Sequence, residues 1–289
     1  MRPLFARLAV VGVGLIGGSL AVAARAAGLV GEVIGLGRSE ANLRLAHERG
    51  LVDRVAHDPT AVAEVDAIVL AVPVGASAAL AERLRAHVRP GTLLTDVGSV
   101  KQVVVTALEA CWLPVGPVVG GHPIAGSEAS GAGAARADLF RGQRCVLTPT
   151  AATDPAALAQ VRALWEGVGM RVEEMTPAEH DEILARVSHL PHLVAYALAA
   201  AAGGGRVGDR AVLDYAGSGF RDTTRIAGSP PEIWRDIALG NAPALRAALR
   251  EFRTALDRLE ALVAAGDAAG LEAALAVAYE ARQRLGRRG

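Results

Sequence analysis

Short apolar runs alternate with amphipathic stretches along the first 150 residues of the chain. Runs rich in Val, Ile and Leu that are bounded by Gly or polar residues predict buried strands, whereas apolar residues at a spacing of about 3.6 predict helices. Strands and helices that alternate in this way form βαβ units around a parallel sheet, so an α/β fold is expected. The predicted strands are 8–13, 33–36, 67–72, 93–96, 118–120, 144–148 and 171–174, and the predicted helices are 15–27, 40–49, 75–88, 101–110 and 154–168.

The strand pattern ends near residue 176, and Ala, Leu, Arg and Glu then recur at helical spacing to the C-terminus. Thr176 and Glu179, separated by a Pro at the first helical position, predict a capping box that begins a helix. The glycine run 203–205 is expected to separate two helices. We therefore predict an α/β domain over 1–175 and an all-helical domain over 176–289, which is expected to pair with a second copy.

Composition excludes several classes of function. The 30 basic and 30 acidic residues give a formal net charge of zero, so neither nucleic acid nor an anionic membrane is an expected partner. No unbroken apolar run reaches the roughly 18 residues that a membrane-spanning helix needs. Cys111 and Cys145 lie far apart, which fits a reducing compartment and argues against a disulfide framework or a zinc site. We expect a cytoplasmic protein without a bound metal.

A glycine loop joins the first predicted strand to the first predicted helix. Its sequence G-V-G-L-I-G fits the dinucleotide-binding pattern, in which Gly12 permits a tight turn, Gly14 lets the backbone approach a pyrophosphate and Gly17 lets the helix pack closely on the strand. The helix N-terminus would face the phosphates. A simple glycine-rich turn and a flavin-type site are the alternatives. The expected cofactor-binding residues of this loop are Gly12, Val13, Gly14, Leu15, Ile16 and Gly17.

The choice between NAD and NADP depends on the end of the second strand. NAD sites usually carry an acid there, but this strand runs into Arg38 and Ser39, which could hold a 2′-phosphate. NADP is therefore favoured, while Glu40, one position further on, keeps NAD open. Val72 and Pro73, at the end of a later strand, are expected to contact the same cofactor.

Two polar segments follow predicted strands, where open parallel sheets place their ligand sites. The segment D-V-G-S-V-K carries Ser99 and Lys101, the only Lys of the chain. In the segment G-G-H-P-I-A-G-S-E, Gly and Pro residues fix the backbone around His122, which is expected to begin a loop. An imidazole held beside a nicotinamide could remove a hydroxyl proton during hydride transfer. A histidine buried in the core is the alternative interpretation.

Two further clusters lie in the helical part. His189 and His192 are three residues apart, so they are expected to share a helix face and line one wall of a cleft with His180 and Ser188. Metal binding and histidines satisfied within a helix interface are the alternatives. Later in the chain, Arg225 stands among hydroxyl side chains, an arrangement that suits a ligand with a carboxylate. A surface Arg paired with a nearby Asp would be the simpler interpretation.

Five motifs, in this order and over nearly the whole chain, resemble those of the prephenate and arogenate dehydrogenase family. They are G-V-G-L-I-G-G-S, D-V-G-S-V-K, G-H-P-I-A-G-S-E, S-H-L-P-H, and G-F-R-D-T-T-R-I-A with W-R-D-I. The resemblance implies a Rossmann dinucleotide-binding domain, a helical dimerisation domain and a homodimer. It also implies oxidative decarboxylation of a cyclohexadienol, prephenate or arogenate, with hydride transfer to NAD(P) on the route to tyrosine.

The resemblance also implies roles for individual residues. His122 resembles the catalytic His that accepts the proton of the ring hydroxyl, and Ser99 resembles the Ser that orients this hydroxyl. Arg225 resembles the Arg that binds a substrate carboxylate. Further expected pocket residues are His192, Ser127 and Ser188. Glu128 and His180 resemble a pair near the pocket entrance that either gates the pocket or supports the residues that line it, and Lys101 is expected to support the Ser99 loop.

Two other functions remain open at this stage. A dehydrogenase of the β-hydroxyacid type also joins a Rossmann domain to helices, but it uses a Lys in the helical part, and no Lys follows Lys101 here. A nucleotide-sensing regulator without enzymatic activity would keep the glycine loop but would need neither His122 nor Ser99. It would want a basic recognition element, for which the sequence offers no candidate.

Overall fold

The predicted apolar strands form the centre of one eight-stranded sheet, in a computed structural model that describes residues 2–126 and 129–286. The strands, in chain order, are β1 (Phe5–Val11), β2 (Val30–Leu36), β3 (Arg54–Ala56), β4 (Ala67–Leu70), β5 (Leu93–Asp96), β6 (Val118–Ile124), β7 (Arg144–Thr148) and β8 (Arg171–Glu174). Their order across the sheet is β3-β2-β1-β4-β5-β6-β7-β8. β1 to β6 run parallel, β7 is antiparallel to β6, and β8 is parallel to β7.

Helices cover both faces of this sheet because alternate residues of its strands point to opposite sides. The helices are α1 (Leu15–Ala26), α2 (Glu40–Glu48), α3 (Ser77–Arg85), α4 (Gln102–Trp112) and α5 (Pro155–Gly167), with 3₁₀ turns at Pro59–Val62, Val74–Ala76 and Ala132–Ala134. Leu8 and Val10 of β1 belong to a core that includes residues of α1 and α5, whereas Ala9 and Val11 belong to a second core with residues of α3 and α4.

The bounds of β1, β2 and β4 differ from the predicted ones by two or three residues, whereas β3 and β6 differ in kind. β3 was not predicted, because it is short and its residues are not buried. β6 continues through Gly121, His122 and Pro123 to Ile124, where a loop was expected after residue 120. The reason is the antiparallel neighbour β7, which pairs with residues 120–124 and places His122 opposite Val146. His122 therefore lies within a strand, and the prediction that it begins a loop is wrong.

Helices follow the sheet, and the first begins as the sequence predicts. α6 (Pro177–Leu184) starts with the capping box of Thr176 and Glu179. It continues through a π-helical segment (Ala185–His189) into α7 (Leu190–Gly203), so the three form one uninterrupted helical stretch. α8 (Ser218–Thr224), a 3₁₀ turn (Arg225–Gly228) and α9 (Pro231–Gly240) follow. The expectation of helices alone has one exception, the two-stranded hairpin of β9 (Arg206–Val207) and β10 (Arg210–Ala211) after the glycine run.

Among the described residues, one helical stretch, from Pro177 to Gly203, is long and apolar enough to cross a membrane by length and composition alone. Helices that never enter a membrane pass the same test, so this is weak evidence for a membrane span. The stretch also carries three buried polar side chains, those of His180, Asp181 and His189. Their hydrogen bonds within the protein give the stretch a structural role that needs no lipid.

The chain divides into two compact units, one up to Ala242 and one from Pro243 onward. The second unit consists of the long helix α10 (Ala242–Ala265) and the helix α11 (Ala268–Gly286). Several large apolar side chains on these helices are exposed to solvent, namely Leu256, Val263, Leu275, Val277, Tyr279 and Leu285.

Candidate active site

A cleft of about 960 Å³ opens beside the glycine loop, along the carboxyl ends of the central strands. Seven of the predicted cofactor-binding residues line it: Gly12, Val13, Gly14, Arg38, Ser39, Val72 and Pro73. The other three, Leu15, Ile16 and Gly17, form the first turn of α1 directly behind the loop. The volume and the position at a helix N-terminus suit a dinucleotide.

The three glycines of the loop meet different surroundings, which match the three roles expected of them. Gly12 has a positive φ of 96°, and a Cβ there would overlap the carbonyl oxygen of Ala71. A Cβ at Gly17 would overlap the carbonyl oxygen of Gly12 and contact the side chain of Val10. A Cβ at Gly14 would meet no atom within 4 Å. The open space at Gly14, at the start of α1, is therefore where a pyrophosphate would fit.

The lining of the cleft includes positive and hydrogen-bonding groups. They are Arg38 and Ser39, together with His57 and Arg83, which the sequence analysis did not assign. The Ser39 hydroxyl accepts a hydrogen bond from the backbone N–H of Asn42 at 3.3 Å and so caps α2. This leaves the hydroxyl proton of Ser39 available to a ligand.

His122 lies near the carboxyl end of β6, half-buried, and its ring contacts a second histidine. The distance from Nδ1 of His122 to Nε2 of His180 is 2.8 Å, and the two rings meet edge to face. Nδ1 of His180 in turn lies 2.8 Å from Oδ1 of Asp181. The three side chains therefore form a continuous hydrogen-bonded chain that ends at His122.

His180 is fully buried, with none of its surface exposed to solvent. The sequence resemblance had suggested a position near the pocket entrance, paired with Glu128. The structure instead places His180 behind His122, because Asp181 anchors the start of α6 to the sheet domain. Oδ1 and Oδ2 of Asp181 accept the backbone N–H groups of Lys101 at 2.8 Å and Gln102 at 2.9 Å, at the N-terminus of α4.

Lys101 is as deeply buried as His180 and is paired with Asp96. Its ammonium also donates to the carbonyl oxygen of Gly121 at 2.7 Å, in the residue before His122. Asp96 accepts the backbone N–H groups of Gly98 at 2.8 Å and Gly121 at 3.2 Å. The pair thus ties the end of β5 and the loop that carries Ser99 to the strand that carries His122.

Burial keeps the site histidines neutral near pH 7. Burial, together with the nearby His180, Lys101 and His189, holds the pKa of His122 well below its ordinary value of 6.5. Burial also lowers the pKa of His180, although its hydrogen bond to Asp181 opposes this shift. The pKa of His189 falls to about 4, again mainly through burial. Neutral imidazoles can accept a proton, which is what a general base requires.

The helical wall of the site is built around Trp234 of α9. The ring of His192 stacks on it, with a centroid distance of 3.3 Å, and the ring of His189 meets it edge to face at 6.3 Å. Asn241 joins this wall to the chain of histidines, because its amide nitrogen donates to the carbonyl oxygen of Asp181 at 2.7 Å and lies 3.1 Å from Nδ1 of His189. Among the described residues, no group of three His, Cys, Asp or Glu side chains could hold a metal ion.

The remaining predicted site residues lie on separate segments of the chain. Ser99 is half-buried between β5 and α4, with its backbone beside the His189 ring. The carbonyl oxygen of Ser188 hydrogen-bonds His192 at 2.9 Å. Arg225 is exposed and begins the 3₁₀ turn that packs against α7. Ser127 and Glu128 lie outside the described residues.

The sequence contains weak patterns that could have identified some of the cleft and site residues that the sequence analysis missed. Ala76, Ala79, Leu80 and Arg83 line the cleft at the spacing of one helix face, which the predicted helix after Pro73 could have indicated. Asp181 stands next to His180 in the sequence, but nothing in the pattern links it to a helix that begins about 80 residues earlier. His57 follows the short strand β3, which was itself not predicted.

Comparison with known protein families gives a match over most of the chain. The model of the prephenate dehydrogenase nucleotide-binding domain matches residues 20–174, and that of the prephenate dehydrogenase dimerization domain matches residues 176–277. Cyclohexadienyl dehydrogenase of Zymomonas mobilis is 37% identical over 265 residues, which are 91% of this chain and 90% of that protein.

Two crystal structures share the fold over nearly their full lengths. Prephenate dehydrogenase from A. aeolicus, in complex with hydroxyphenyl propionate and NAD⁺, superposes with a TM-score of 0.92 at 34% identity, covering 96% of this chain and 98% of the other. Arogenate dehydrogenase of Synechocystis has a TM-score of 0.82 at 36% identity, covering 96% and 99%.

We expect Gly14→Ala to weaken dinucleotide binding about tenfold or more, a loss of at least ~1.4 kcal/mol, because the methyl group would occupy the space of the pyrophosphate. Gly14 has φ −102° and ψ −153°, which Ala adopts without strain, so the melting temperature should not fall. Isothermal titration with NAD⁺ and NADP⁺ measures the first effect and thermal unfolding the second. Gly203→Ala, also in open space but outside the cleft, is the control. Unchanged affinity in Gly14→Ala would contradict the site.

Proposed function

Since this chain belongs to the prephenate dehydrogenase family, we propose that it oxidises and decarboxylates prephenate or arogenate with NAD(P) in tyrosine biosynthesis. The observation that carries this proposal is His122. Its neutral imidazole is held near the carboxyl end of β6 by a chain of buried hydrogen bonds, and the cleft at the glycine loop opens along the carboxyl ends of other strands of the same sheet. A nucleotide-sensing regulator would have no use for such a group.

In this proposal, Nε2 of His122 accepts the proton of the substrate ring hydroxyl, because Nδ1 already contacts His180. A nicotinamide, when bound, would accept the hydride from the ring carbon that carries this hydroxyl. Loss of carbon dioxide then makes the ring aromatic, and this gain in stability drives the reaction. Ser99 orients the hydroxyl, and the rings of His192 and Trp234 form an apolar wall for the substrate.

We propose that Arg225 binds a carboxylate of the substrate, with Ser127, Glu128 and Ser188 as further pocket residues. The support for Arg225 is the attachment of its turn to α7, the helix of His192. The hydroxyl of Tyr196 in α7 donates to the carbonyl oxygen of Ser229, directly after this turn, at 2.6 Å. A guanidinium presents paired N–H donors that suit a carboxylate.

We propose NADP as the preferred cofactor, with NAD as the alternative. The support is the lining of the cleft, which includes Arg38, Ser39 and Arg83, and the lack of an acid directly after β2 in the sequence. A 2′-phosphate would gain charge-assisted hydrogen bonds from the two guanidinium groups. Glu40 is the nearest acid, in the first turn of α2.

We further propose that residues 176–289 form a helical substrate-binding and dimerisation domain and that the protein is a cytoplasmic homodimer. The exposed apolar side chains of α10 and α11 support pairing, because burying them against a second copy would be favourable. The two cysteines, both free thiols, fit a reducing compartment.

The proposed activity is tested by incubating the protein with prephenate or arogenate and with NAD⁺ or NADP⁺. We expect reduction of the nucleotide together with an equal amount of released carbon dioxide, followed by absorbance and by a coupled carbonate assay. Absence of nucleotide reduction in all four combinations would reject the proposed function.

The same assay tests the roles of the two proposed site residues. His122→Asn should lower kcat by about 10²–10⁴-fold with little change in KM, because a general base acts mainly in the transition state. Arg225→Ala should instead raise KM. Because the pKa of His122 is depressed, wild-type kcat/KM should hold its plateau down to pH 6.5 and fall only at lower pH, as His122 becomes protonated. Normal turnover in His122→Asn would refute the assignment of the base.

Cofactor preference is tested with Arg38→Ala. Removal of a charge-assisted contact to the 2′-phosphate should weaken NADP⁺ binding by about 10- to 100-fold and leave NAD⁺ binding nearly unchanged. Arg44→Ala, in the neighbouring helix α2 but outside the cleft lining, removes an equal charge and serves as the control. An equal loss for both nucleotides would argue against a phosphate-binding role.

The assembly is tested by size-exclusion chromatography with light scattering, run without detergent. A mass of twice 29.6 kDa is expected at micromolar concentration. A monomer would contradict the homodimer, and recovery only in detergent would contradict the cytoplasmic location.

A further inference from the structure

The chain of Asp181, His180 and His122 determines which ring nitrogen of His122 carries a hydrogen. All three side chains are linked by contacts of 2.8 Å, and His180 is entirely shielded from water. Water therefore cannot replace either partner of His180. The hydrogens in these contacts must come from the three side chains themselves.

Asp181 fixes the direction of the hydrogen bonds that link these three side chains. Its two carboxylate oxygens already accept the backbone N–H groups of Lys101 and Gln102, and these groups can only donate. Their position at the N-terminus of α4 favours the negative charge of the carboxylate. An ionised carboxylate has no hydrogen to give, so Nδ1 of His180 must be the donor in its contact with Asp181.

The remaining hydrogens follow from this first one. Burial keeps the pKa of His180 below 6.5, so near pH 7 the ring carries a single hydrogen, on Nδ1, and its Nε2 is an acceptor. Nδ1 of His122 must then donate to it. The neutral ring of His122 is left with a bare Nε2, the only nitrogen that can accept a proton.

We propose that His180 and Asp181 are positioning residues that hold His122 in the tautomer with a bare Nε2. This inference rests on the proposed function, in which His122 is the general base. When the substrate hydroxyl gives up its proton, the O–H bond breaks, an N–H bond forms at Nε2, and the hydrogen on Nδ1 stays in its contact with His180. The Asp181 carboxylate then partly offsets the positive charge that forms on His122.

The charged and titratable groups around His122 determine how strongly the surroundings disfavour its positively charged form. Lys101 and the His189 and His180 rings disfavour a positive His122, and the buried Asp96 opposes the charge of Lys101. Without the Asp181 carboxylate, less negative charge would offset the repulsion between Lys101 and a protonated His122. The tautomer would also be free to change.

Asp181→Asn is the sharpest test, because it can reverse every hydrogen bond in the chain. With the Asn amide group in the place of Oδ1, the Asn oxygen still accepts from Gln102 at the start of α4, the N–H of Lys101 loses its acceptor, and the amide group donates to Nδ1 of His180. His180 must then donate from Nε2 to Nδ1 of His122, which forces the hydrogen of His122 onto Nε2. We expect kcat to fall by about 10²-fold or more with KM nearly unchanged, and the loss to persist at high pH, since deprotonation does not restore the tautomer.

Two substitutions of His180 separate hydrogen bonding from packing. His180→Leu removes the acceptor and should lower kcat by about 10²-fold, whereas His180→Gln, whose amide can both accept and donate, should recover part of this loss. His47→Gln, at an exposed position on α2, is the matched control and should leave the kinetics unchanged. Equal kcat in His180→Leu and wild type would overturn the proposal.

NMR of the histidine ring nitrogens tests the tautomer in the wild-type protein, even if a variant fails to fold. The His122 signals are identified by their loss in His122→Asn. A bare Nε2 with a hydrogen on Nδ1 is expected, and the opposite tautomer would overturn the inference. If His122→Asn is inactive but Asp181→Asn and His180→Leu are normal, only the positioning role fails. If His122→Asn is fully active, the proposed function itself fails.

Discussion

The ion pair between Asp96 and Lys101 is the interaction on which the site depends. Moving two charges out of water costs several kcal/mol for each ion, as an order of magnitude, unless hydrogen bonds replace the lost hydration. Here the replacement is extensive, because Asp96 also accepts two backbone N–H groups and Lys101 also donates to the carbonyl oxygen of Gly121. These bonds connect the segment from Asp96 to Lys101 with Gly121 in β6 and fix the backbone directly before His122.

A second carboxylate connects the helical part of the chain to this centre. Asp181 receives the first N–H groups of α4, which would otherwise lack partners at the start of a helix. The Asp181 carboxylate therefore satisfies the N-terminus of a helix in the Rossmann part and also sets the position of α6. The strand that carries His122 and the histidine-bearing helix are then held together by buried polar contacts, for which distance and direction matter more than in apolar packing.

The sequence was sufficient for features that depend on neighbouring residues. The glycine loop, the strands of β-branched residues and the capping box at Thr176 all lie in the structure where short patterns predict them. The family resemblance, based on five motifs, is confirmed by the matches to both domain models. His122 was predicted to begin a loop because its local sequence is rich in Gly and Pro. Its strand conformation depends on β7, which the local pattern cannot reveal.

The π-helical segment from Ala185 to His189 has a geometric consequence for the helix that contains it. His180 and His192 are twelve residues apart, and in an uninterrupted α-helix a twelve-residue separation rotates two side chains by about 120° relative to each other. A π bulge accommodates one extra residue, so the rotation becomes that of eleven residues, about 20°. The bulge thereby corrects the phase of the helix: a single rod can present one histidine to the sheet and, three turns later, another to Trp234 on nearly the same side.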